Sequence, residues 1–256
     1  MEKIIGGISY NVFSEEIVIG ELLTDSTQFK SYYESRRKNI KKPVHWALDS
    51  SPEPISEASA RRHLTGEQII LLRRIPPLLT DAFIVAHELE HLAMDYEGFV
   101  NTRSIVSNQD IDELASAFNA MIQHPIVNSR LELFGFDFKK IYEDVSQKSQ
   151  ATFRNLREPS PDRIMKLQWI FMNVDFMLAH NVAYQTWPDK RWVRTMKKSR
   201  YPEIGKDVRE LTQYILDRGL DTPQKQEKLA NKIMAKYHLE DLLVIHKFDS
   251  SAYNDS

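Results

Sequence analysis

Cysteine is absent from this 256-residue chain, which closes several routes at once. There is no disulfide framework, no thiol nucleophile and no metal site built on thiolate, so a metal here must rest on imidazole and carboxylate ligands. An excess of one charge is missing too. With 34 basic against 36 acidic side chains the formal net charge is −2, so no global field draws the chain to nucleic acid or an anionic membrane. Long apolar runs are also lacking. The most hydrophobic stretch, Ile164 to Leu178, is interrupted by Lys166, Asn173 and Asp175 and reads as a core helix rather than a membrane span. The opening Met1-Glu2-Lys3-Ile4-Ile5-Gly6 has neither the basic start nor the apolar run of a signal peptide. A cytoplasmic protein without a membrane partner is the expectation.

The chain has enough to pack a core, with 42% hydrophobic residues, and its patterning is α+β and predominantly helical. Short β-rich runs occur at Ile4-Ile5, Ile8-Ser9-Tyr10, Val12-Phe13 and Ile17-Val18-Ile19, which predict one or two strands. Val44 to Leu48 and Gln68 to Ile75 predict two more, the second ended by Pro76-Pro77. Thr80 or Asp81 can cap a helix over Ala82 to Met94, with Gly98 placed for its C-terminal turn. Leu114, Phe118, Met121 and Ile122 share one helical face, predicting a helix from about Asp110 to Gln123 that Pro125 stops. Three further helices are expected: Asp162 to about Gln185, Tyr201 to Arg218, and one opened by Thr222-Pro223 and ending near Tyr237. The stretch Glu158–Asp162 is the expected boundary between an α+β region, 1–158, and a C-terminal helical region, 159–256.

The chemistry concentrates in His87-Glu88-Leu89-Glu90-His91. Histidines four apart on a helix share a face, so two imidazoles can converge on one cation. Glu88 projects about 100° around the helix from His87, where its carboxylate reaches the open coordination position instead of filling a ligand place. A zinc ion acidifies water, and a carboxylate so placed is the general base for attack on a carbonyl. The expectation is a zinc-dependent hydrolase with Zn²⁺ on His87 and His91 and Glu88 as the catalytic base. An HExxH helix of the deformylase kind is excluded by the missing cysteine.

A mononuclear hydrolytic site needs a third protein ligand. No third histidine follows at metzincin spacing, since Met94 and Glu97 stand there, and a thermolysin-like Asn-Glu-x-x-Ser-Asp is absent. Acidic residues open the next helix: Asp110, Asp112 and Glu113. Glu113 is favoured as third ligand, with Asp112 as the alternative, although the helix dipole alone also favours acids in a first turn. His124, placed before Pro125 where the helix is expected to end, is the weaker candidate.

His87-Glu88-Leu89-Glu90-His91-Leu92, followed by Asp112-Glu113-Leu114-Ala115-Ser116-Ala117-Phe118 and by Pro125, resembles the ImmA/IrrE group of zincin metallopeptidases. The resemblance spans about residues 80–125. It implies a zincin-like small sheet packed on the HExxH helix, a zinc cofactor and an acidic third ligand. It also implies an intracellular regulatory protease acting on a protein or peptide substrate such as a transcriptional regulator. Aligned on Ala115 and Phe118, the family's ligand falls on Asp112, while Ser116 and Asn119 depart from the family pattern.

Other features carry bland expectations. Asp95, one turn beyond His91, could orient a ligand imidazole or be an exposed charge near the helix end. Trp169, Asn173, Phe176, His180 and Tyr184 form a stripe that fits core packing better than oxyanion stabilisation. Basic clusters with aromatics lie at Tyr32 to Trp46 and Lys190 to Tyr201. At this net charge they read as solvated faces, so nucleic acid is not the expected partner. The rival to an enzyme is a non-proteolytic regulatory interaction module that retains the fold.

Overall fold

The computed structural model describes residues 1–50, 57–63, 66–143, 162–186 and 202–248. The chain is α+β and mostly helical. It divides into two compact units: residues 1–98 with 130–136 and the C-terminal end from Phe248, and residues 99–129 with 137–247. The expected boundary at residues 158–161 and the basic cluster at residues 190–201 lie outside the described residues.

The first unit is built on a five-stranded mixed sheet. Strands β1 (Glu2–Ile5) and β2 (Ile8–Phe13) form a hairpin. Then come β3 (Val44–Leu48), β4 (Ala58–Arg62) and β5 (Gln68–Leu72). The order is β1-β2-β3-β5-β4, with β3 and β5 parallel and the other pairs antiparallel. All of Gln68–Leu72 is buried, as expected for an internal strand of continuous apolar sequence. Ile17-Val18-Ile19 is not a strand. It belongs to helix α1 (Glu15–Asp25), where the Ile17 amide donates to Ser14 Oγ at 3.4 Å and Glu15 and Glu16 fill the first turn. That local capping outweighs the β propensity of a three-residue run. The polar stretch after it forms α2 (Thr27–Arg36), capped by Ser26.

Helix α3 (Ala82–Tyr96) carries the HExxH motif. It starts at Asp81, whose carboxylate accepts from the Leu78 amide at 2.9 Å. Gly98 follows it with φ of 87°, the left-handed turn that favours glycine after a helix.

The second unit contains a two-stranded antiparallel sheet of β6 (Val100–Ser104) and β7 (Leu243–Lys247). Its helices are α4 (Gln109–Glu132), α5 (Arg163–Tyr184), α6 (Pro202–Arg218) and α7 (Pro223–Tyr237). The last turn of α4, from Arg130, counts with the first unit. Phe118 of α4 meets Phe171 of α5 edge to face at 5.3 Å. Asn119 substitutes for a strand beside β6: the Thr102 amide donates to its Oδ1 at 2.7 Å and its Nδ2 donates to the Thr102 carbonyl at 2.9 Å. Fully buried Gln226 ties α7 to both, accepting from the Val100 amide at 2.7 Å and donating to the Ile122 carbonyl at 3.2 Å.

Pro125 does not stop α4. The helix continues through it to Glu132. Proline removes one backbone donor and crowds the preceding turn at a cost near 3 kcal/mol, which buried Ile126, Val127 and Leu131 can offset at about 1.5–3 kcal/mol each. No helix among the described residues is long and apolar enough to cross a membrane.

Candidate metal centre

Along α3, burial isolates the motif. Ala82, Phe83, Val85, Ala86, Leu89, Glu90, Leu92, Ala93, Met94 and Asp95 are all buried. Up to His91, the half-open positions are Ile84, His87, Glu88 and His91, the i, i+3, i+4, i+7 spacing of one helical stripe. The two histidines and the glutamate are thus the polar part of the single accessible face of a packed helix.

The imidazoles converge. His87 Nε2 and His91 Nε2 lie 3.1 Å apart, with ring centroids 4.8 Å apart and ring planes at 75°. Two nitrogens each about 2.0–2.1 Å from one tetrahedral zinc stand about 3.3 Å apart, so the pair is spaced as two ligands of one ion. Glu88 turns to the sheet, where its Oε2 accepts from the Ala60 amide of edge strand β4 at 2.7 Å. That bond holds the carboxylate beside the histidines without making it a ligand.

A cage of charge fixes the opposite face of α3. Glu90, 0% exposed, accepts from Arg36 Nε at 2.8 Å and Nη2 at 2.6 Å, and from Arg130 Nη1 at 2.8 Å. The same two guanidinium groups pair with Glu97 at 2.6 and 2.8 Å. Burial opposes the Arg36 charge, yet Glu90 and Glu97 hold its pKa above the ordinary value. Burial, followed by the Glu90 carboxylate, pushes the neighbouring Tyr32 phenol well above its own. Asp95 is buried rather than exposed and is ion-paired with Arg62, whose Nη2 also donates to the His91 carbonyl at 3.2 Å.

On α4, Asp112 and Glu113 are exposed, and Glu113 Oε1 accepts from Gln109 Nε2 at 3.2 Å. His124 lies three turns further along the same helix, about 16 Å from Glu113 by helical rise. Its ring is half-buried, and Nδ1 lies 3.0 Å from Asp175 Oδ2 of α5. Among the described residues of the first unit, His87 and His91 are a pair whose ring nitrogens lie close enough to share one metal ion. All-nitrogen donors on a half-buried, cysteine-free site suit Zn²⁺.

The remaining expectations resolve as packing. His180 Nδ1 lies 3.2 Å from the Tyr142 hydroxyl, and Phe176 and Tyr184 also contact the Tyr142 ring. In the first basic cluster, Arg36 pairs with Glu90 and Glu97 and Arg37 with Glu15, so these cations are already neutralised by protein carboxylates. No family model, curated protein or solved structure matches the chain.

Proposed function

We propose that this protein is a zinc-dependent hydrolase of zincin type that cleaves a peptide or protein, with His87 and His91 as metal ligands. The observation that carries the reading is the 3.1 Å approach of His87 Nε2 and His91 Nε2, with Glu88 between them on the one half-open stripe of α3. Zinc bound there would supply Lewis acidity, acidifying a water molecule and polarising a carbonyl. Glu88 takes the proton from the attacking water and returns it to the departing amine, the general acid–base role that its position beside the ligands supports. The bond from the Ala60 amide keeps its carboxylate aimed while that happens. The choice of a peptide or protein substrate, and of a transcriptional regulator within that class, rests on the resemblance of the segment from His87 to Pro125.

The test is cleavage of a peptide library read by mass spectrometry, with and without chelator. Wild-type protein should cleave, and chelator should abolish cleavage. Glu88→Gln should retain zinc while losing about 10²–10⁴-fold in rate, the usual contribution of a general base. Zinc-loaded protein that cleaves nothing would favour the non-proteolytic interaction module. A Glu88→Gln protein as active as wild type would remove the proposed base.

A further inference from the structure

Alternation along the strands gives the sheet of the first unit two faces. On one of them Ile5 of β1, Ala47 of β3, and Ile69 and Leu71 of β5 form a buried cluster, with Tyr10 and Val12 of β2 packed against it. The β1–β2 hairpin joins β3 through two register pairs, Val12 with Ala47 and Phe13 with Trp46. Its tip nevertheless reaches the opposite edge strand. Gly6 has φ of 57°, and a Cβ there would collide with the ring of His63, which directly follows β4. In a flat sheet β1 and β4 would stand about 19 Å apart, four strand spacings, so the hairpin folds across the apolar cluster. Lys3, on the same side of β1 as Ile5, reaches the far strands too. Its Nζ lies 2.7 Å from His45 Nε2 and 3.2 Å from Glu67 Oε1.

We propose that β1–β2 is a pH-sensitive strap, latched over this apolar face by the Lys3–His45 hydrogen bond and released when the His45 ring takes up a proton. An ammonium group has three donors and no acceptor. At 2.7 Å His45 Nε2 must therefore offer a lone pair, which makes the latched ring neutral with its proton on Nδ1. A proton added at Nε2 turns that bond into a contact between two cations. The charged groups acting on His45 are Lys3 from β1 and Glu67 from the residue before β5. Burial first, and then the Lys3 ammonium, hold the His45 pKa below its ordinary value of 6.5, while Glu67 opposes them and is outweighed. A depressed histidine pKa means that the open strap binds the proton better than the closed one. The latch is therefore secure above about pH 6.5 and weakens as pH falls below it. With few ladder pairs to β3, the hairpin is the part of the sheet poised for such local opening.

Amide hydrogen exchange of the full chain at pH 7.5 and pH 5, corrected for the intrinsic pH dependence of exchange, tests the latch. A released two-stranded hairpin is marginal in water, so opening shows as lost protection across β1 and β2. Wild-type protection there should fall at least about threefold at pH 5, while the amides of Ile69, Ile70 and Leu71 in β5 keep theirs. His45→Gln retains an acceptor for Lys3 and cannot titrate, so its hairpin should be protected equally at both pH values. A second measurement needs no variant to fold: ¹⁵N-histidine NMR of the wild-type protein should show His45 neutral with its proton on Nδ1 at pH 7.5, titrating together with the loss of protection. Hairpin protection that is unchanged at pH 5 overturns the proposal, as does an equal loss in His45→Gln. A wild-type His45 that is doubly protonated at pH 7.5, or carries its proton on Nε2, overturns it as well. Loss of protection in β5 to the same extent would mean global acid unfolding and no strap.

Discussion

Glu90 occupies a variable position of the HExxH motif, between Glu88 and His91, and nothing in its identity announces a structural role. The structure gives it 0% exposure and three hydrogen bonds from two guanidinium groups. Removing one member of a buried ion cluster leaves the others desolvated and unpaired, which typically costs about 3–5 kcal/mol. Glu97 keeps part of the compensation, since both arginines also reach it. Glu90→Ala should therefore lose about 3 kcal/mol of unfolding free energy in denaturant melts, near the low end of that range. A loss below about 1 kcal/mol, the size of an exposed pair, would mean the cage adds little. At this scale the convergence of His87 and His91 was readable, because it depends on spacing within one helix. Glu90 and Asp95 were not, because their burial comes from Arg36, Arg130 and Arg62, distant in sequence.

Helix α3 was readable as an element, since helix formers, the motif stripe and the terminating Gly98 all agree, although Asp81 stands at its N-cap without a side-chain capping bond. Strand β4 was missed: Ala58-Ser59-Ala60-Arg61-Arg62 has no β-branched or aromatic residue, and it is a strand because it pairs with β5. Helix α4 shows the opposite failure, a strong local rule overridden by packing. Pro125 sits inside the helix, where proline is about 3 kcal/mol worse than alanine. Pro125→Ala restores a backbone donor and should raise unfolding free energy by up to about 3 kcal/mol. The check is denaturant unfolding of the two proteins side by side. A destabilised variant would show instead that the proline ring, or the bend it imposes, is required by its surroundings.

Across the whole molecule, the class was readable and the connections were not. Composition, periodicity and caps predict a mostly helical α+β chain, and the structure is one. The parallel pairing of Val44–Leu48 with Gln68–Leu72 and the partnership of Val100–Ser104 with Leu243–Lys247 depend on residues far apart in sequence, for which local patterning gives no signal.

The central claim of the proposed function is that His87 and His91 hold one metal ion. Zinc content per chain, measured by elemental analysis on the full-length protein and its single-site variants, tests it most directly. The expected result is about one zinc per wild-type chain, kept in Glu88→Gln and lost in His87→Ala and His91→Ala. Zinc that survives His87→Ala and His91→Ala would contradict the account.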